Sequence, residues 1–168
     1  MEKALKIFGK YFIKLQYAAS ILSAVSLVLM FVWQCFLRYV LKAPLMGIEE
    51  LMLLPTIWLY MLGGADASYE NSHIECGILT LYIKKEKTKK RFQFVKSLLT
   101  FIIFTWLMYW GWKYAVYSFT LWKYTDLLYI PMFFLESAMF VGFALMTIYA
   151  LRDVVIAVKN LKFKGKED

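Results

Sequence analysis

Residues 15–37, LQYAASILSAVSLVLMFVWQCFL, decide the fold class. They run for 23 residues without a charged side chain, and a helix needs roughly 20 apolar residues to cross a bilayer. The stretch is too long for the apolar core of a signal peptide, and no small-residue cleavage site follows a shorter core. Three further apolar segments follow it. The second runs from about Ile48 to Tyr69, with Glu49 and Glu50 at its start and Asp66 near its end. The third runs from about Phe92 to Phe119 around a charge-free centre, Ser97 to Trp112. The fourth runs from about Leu127 to Leu151 and is interrupted once, by Glu136. No soluble domain fits between them, and no internal repeat is visible. The pattern predicts an all-α integral membrane protein, a single membrane domain over residues 1–168 with spans at about 15–38, 48–69, 92–119 and 127–151.

Composition agrees. The chain is 61% hydrophobic and 19% charged, with mean hydropathy +0.56. Soluble domains are nearer half apolar and a quarter charged. Disordered chains lack such aromatic and aliphatic content. Twenty basic and twelve acidic residues leave a net charge of +8. In a soluble protein that excess would suggest nucleic acid; in an apolar chain it points to basic loops against the cytoplasmic leaflet, with no nucleic-acid partner. Cys35 and Cys76 lie in different segments, so no CxxC thiol pair is present. His73 is the only histidine, which leaves bis-histidine haem or a His-based zinc site without ligands. No cofactor and no enzymatic activity are expected.

Basic residues set the predicted orientation. Sixteen of the twenty fall in the N-terminal stretch, the loop after the second segment and the C-terminal tail. Only Arg38, Lys42, Lys113 and Lys123 fall on the other side. The positive-inside rule therefore predicts both termini in the cytoplasm. Trp106, Tyr109, Trp110, Trp112, Tyr114, Tyr117, Trp122, Tyr124 and Tyr129 gather toward the opposite face, as an interfacial aromatic belt would. Between the second and third segments, Ser72-His73-Ile74-Glu75 has capping-box spacing, and Ile78, Leu81 and Tyr82 follow at helical intervals. This predicts a short amphipathic helix at about 73–85, lying on the cytoplasmic interface against membrane lipids. His73 at its start reads as structural.

Charges within spans are costly and each calls for an explanation. Glu49 and Glu50 complement the helix dipole at the start of the second span. Arg38 ends the first span across a ten-residue turn containing Pro44 and could pair with either carboxylate. Such a tie at the interface outweighs an outer anion gate. Asp66 stands among Gly63, Gly64, Ala65 and Ala67, small residues that permit close helix approach, about a turn from the cytoplasmic end. That favours a structural role. Glu136, counted from Tyr129, is placed about two turns into the fourth span. Ala138 and Gly142 form a small-xxx-small face beside it. One reading of Glu136 is a proton or cation site; the other is a hydrogen-bond anchor to a neighbouring subunit. A lone carboxylate without a second acid, Asn or Gln nearby in sequence makes a poor ion site, so the anchor is preferred.

Taken in order, Arg38-Tyr39, Pro44, Glu49-Glu50, Trp58, Gly63, Ala65 and His73-Ile74 resemble the DctQ-like small membrane subunit of TRAP (tripartite ATP-independent periplasmic) transporters. Leu128-Tyr129-Ile130-Pro131 followed by Gly142 resembles that family's closing motif. The resemblance spans about residues 15–152. Tyr69 departs from it where a basic residue is common, and Cys76 where an acid often follows His-Ile. The resemblance implies a bacterial or archaeal inner-membrane protein that forms a heterodimer with a large membrane subunit. A periplasmic binding protein would deliver an organic acid to that large, elevator-type subunit, which would hold the substrate and sodium sites. This chain would be the static scaffold. The competing reading is an autonomous proton-coupled exporter working through Glu136. Such exporters are shorter and carry their glutamate in the first span, where this chain has no acid.

Overall fold

The computed structural model describes residues 2–43, 45–70 and 86–162. The regular elements among these residues are four α-helices: α1 (Glu2–Tyr39), α2 (Ile48–Glu70), α3 (Glu86–Leu121) and α4 (Phe133–Lys162). No strand occurs among the described residues. The amphipathic helix expected at 73–85, with His73, lies outside the described residues, as does Pro44.

The helix ends differ from those read off hydropathy, for two reasons. Polar helix formers extend a helix past its apolar stretch. Thus α3 begins at Glu86, so Lys87, Lys89, Lys90, Arg91 and Lys96 ride on a helix and not in a loop. Conversely, the apolar residues 127–132 are not helical. They belong to a tight turn closed by N–H bonds from Thr125 to the Ile130 carbonyl (3.0 Å) and from Met132 to the Lys123 carbonyl (2.8 Å). Trp122 and Tyr129 adopt positive φ of 42° and 53° within it. The fourth helix therefore starts at Phe133 instead of Leu127.

α1, α3 and α4 are long and apolar enough to cross a membrane; α2 is not among these three. α1 packs on α2, α2 on α4 and α4 on α3, so α1 and α3 form the two ends of a row. The core lies in the middle of that row, where Leu62 and Ala65 of α2 meet Leu145, Met146 and Tyr149 of α4. Of these three, α4, with neighbours on two sides, buries the largest share of its apolar stretch; α1 and α3 bury almost none of theirs fully. In water those faces would be untenable. In a bilayer they meet lipid tails or another apolar chain.

Candidate functional site: polar clamps along the helix row

The largest polar cluster joins α1, α2 and α4. The Asp66 carboxylate accepts from Gln16 Nε2 (2.6 Å) and from Ser20 Oγ (2.8 Å). Gln16 is buried, and its Oε1 accepts the Tyr149 hydroxyl at 2.7 Å. Both oxygens of Asp66 are thus engaged and α4 is tied to α1 through one side chain. One turn along, Tyr17 donates to Glu70 Oε1 at 2.6 Å. The ring of Tyr69 meets Tyr149 edge-on at 5.4 Å, and Arg152 lies over Tyr69 at 4.9 Å. Asp66 is thus held by Gln16 and Ser20 of α1. Gln16, Ser20 and Tyr149 were not singled out in the sequence. The available signal was spacing: Gln16 and Gln34 stand near the two ends of the uncharged run, and Asp66 and Glu49 stand a matching distance apart on α2.

At the other end, Gln34 Nε2 donates to Glu49 Oε1 at 3.2 Å. Glu50 reaches across to the α3–α4 turn, where it accepts the backbone N–H groups of Leu127 (3.1 Å) and Leu128 (3.0 Å). Gly47 makes that approach possible: its φ is +96°, and a Cβ there would lie 3.1 Å from Leu128 Cγ. Arg38 is exposed and pairs with neither glutamate among the described residues. The reason is local. Lys42 turns the chain through φ 52°, and the carboxylates find nearer donors.

The α2–α4 seam uses the small residues. Ala138 is fully buried, and a Cβ on Gly142 would meet Met61 Cβ at 2.8 Å and Met61 Cα at 3.3 Å. This face therefore packs within the chain. Gly64, not Gly63, is the α2 glycine held close: a Cβ there would meet Met146 Cε, while one on Gly63 meets nothing. Trp58 Nε1 donates to the Phe134 carbonyl at 3.1 Å, pinning the start of α4 to α2. Pro131 pairs with Tyr124 across the turn and offers its carbonyl to Phe134 N–H at 3.2 Å.

Because α4 starts late, Glu136 lies in its first turn instead of two turns into a span. It is half-buried, and its Oε1 accepts the Tyr114 hydroxyl of α3 at 2.7 Å. The donor is a residue of this chain. Nearby, Lys113 Nζ sits 4.9 Å from the Tyr109 ring, and Lys123 Nζ 5.6 Å from that of Tyr117, so both cations at this end lie against aromatic rings.

Residues 27–160 match the family model for tripartite ATP-independent periplasmic transporters, DctQ component. No curated protein matches the chain.

Proposed function

This chain belongs to the DctQ component family of TRAP transporters, and we propose that within its transporter it is the static small subunit that braces a large, elevator-type membrane subunit. The observation that carries this reading is how five carboxylates of α2 and α4 are used. Asp66, Glu49, Glu50, Glu70 and Glu136 each accept a hydrogen bond from a donor of the same chain. A translocation path needs polar groups turned toward a cavity; here they lock helices together. The uncovered apolar faces of α1 and α3 suit contact with a partner or lipid. The sodium sites and the organic-acid site belong to the large subunit, and a periplasmic binding protein engages the complex. The test is uptake. Liposomes holding this chain alone, given a sodium gradient and C4-dicarboxylates, sialic acid or sulfonates, are expected to take up nothing above empty liposomes. Uptake by the chain alone would overturn the scaffold and revive proton- or ion-coupled transport through Glu136.

All four helices cross the membrane in this reading. α2 has 23 residues, about 34 Å of helix at 1.5 Å per residue, and lies between α1 and α4 in the row. Both termini are cytoplasmic, from the bias of the basic residues. Alkaline phosphatase fused after Lys123 should be active and fused after Lys90 inactive; the reverse pattern would invert the topology.

A further inference from the structure

Arg152 sits at the edge of the α1–α2–α4 cluster, outside its hydrogen bonds, and is held in place by a ring. It is exposed on α4, its guanidinium lies 4.9 Å from the Tyr69 ring centroid, and it is paired with no carboxylate among the described residues. The ring under it is itself fixed, because Tyr69 packs edge-on against Tyr149 and the Tyr149 hydroxyl is tied to Gln16. A guanidinium set over a ring, with no carboxylate of the described residues on it, has N–H groups to offer, and its fork matches two oxygens of a phosphate. Depth supports the same ligand. Arg152 lies 19 residues beyond the start of α4 at Phe133, about 28 Å along the helix at 1.5 Å per residue. The hydrocarbon core is about 30 Å thick, which puts the guanidinium at headgroup level. Ile148, Leu151, Val155 and Ile156 around it on α4 are all exposed, and Lys159 follows two turns on along the same face. A cation fork at headgroup level beside uncovered aliphatic side chains suits a phosphate that carries acyl chains.

We propose that Arg152, stacked on Tyr69, holds the phosphate of an anionic phospholipid whose acyl chain packs along Ile148 and Leu151. Tyr69 is a positioning residue, acting through the ring face it presents. Lys159 adds positive potential that favours an anionic headgroup over a zwitterionic one.

Native mass spectrometry of the full chain in mild detergent, titrated with phosphatidylglycerol and separately with phosphatidylcholine, tests this. The parent should retain phosphatidylglycerol in preference to phosphatidylcholine. Arg152→Gln should weaken phosphatidylglycerol retention on the order of tenfold, the range for losing a charge-assisted hydrogen bond. Arg152→Lys, which keeps the charge and loses the fork, should fall between. Tyr69→Phe should retain lipid like the parent, and Tyr69→Leu should not. Inorganic phosphate at millimolar concentration should not displace the lipid. Undiminished retention in Arg152→Gln would overturn the site, and displacement by inorganic phosphate would reassign it to a free anion. Arg152 is exposed and makes none of the clamp hydrogen bonds, so unfolding midpoints matching the parent are expected for its variants. A large drop in stability in Arg152→Gln would mean the stack serves only to hold α2 to α4, and would also overturn the proposal.

Discussion

Asp66→Leu is expected to release α1 from α2 and α4. Two donors, Gln16 Nε2 and Ser20 Oγ, converge on that carboxylate, and Gln16 in turn holds the Tyr149 hydroxyl. Leucine satisfies neither donor, and buried Gln16 has little access to water. Hydrogen bonds between membrane helices are worth about 0.6 kcal/mol on average and up to about 1.7. Losing two while stranding their donors should cost roughly 1–3 kcal/mol. Because α1 packs substantially only on α2, little else compensates. Asp66→Asn keeps one acceptor oxygen and should lose much less. The order in detergent unfolding should be parent, then Asn, then Leu, with spin-label distances between α1 and α2 broadening in Leu alone. A leucine variant as stable as the parent would show that apolar packing, not the clamp, holds α1.

The second large effect separates three glycines that look alike in sequence. Gly142→Ala places a methyl 2.8 Å from Met61 Cβ and 3.3 Å from Met61 Cα. Both atoms are tied to the backbone of α2, so the helices themselves must part. Overpacking of this kind costs about 1–3 kcal/mol, more than the gain of up to about 1 kcal/mol from replacing glycine in a helix. Gly64→Ala meets only the flexible end of Met146, which can swing aside. Gly63→Ala meets nothing and should be neutral or slightly stabilising. Unfolding midpoints should therefore fall clearly for Gly142→Ala, little for Gly64→Ala, and not at all for Gly63→Ala. Equal effects at 63 and 142 would mean the α2–α4 seam is not where the structure places it.

These two cases also separate what was legible early. Asp66 invited suspicion because an acid near the end of an apolar run is costly, and its small-residue neighbours suggested a packed helix. Those residues do not identify the donors. Gln16 and Tyr149 are 133 residues apart, and Asp66 lies 50 from Gln16. Nothing local announces such a meeting. Glu136 shows the complementary failure: counting from Tyr129 assumed that apolar residues continue the helix, whereas Thr125, Ile130 and Pro131 spend them on a turn.

The sequence by itself determined the class of solvent and the existence of the four long helical segments. Those follow from the length and composition of uncharged runs, a one-dimensional property. It also determined the family, through motifs short in themselves but ordered along most of the chain. Only the tertiary structure decided that the helices form a row, that Gly142 and not Gly63 meets a neighbour, and that Arg38 leaves Glu49 and Glu50 to other donors. The physical reason is one of directions. Hydropathy counts residues along a helix and is indifferent to rotation about its axis. A hydrogen bond or a 2.8 Å contact depends on that rotation, and packing against a neighbour sets it.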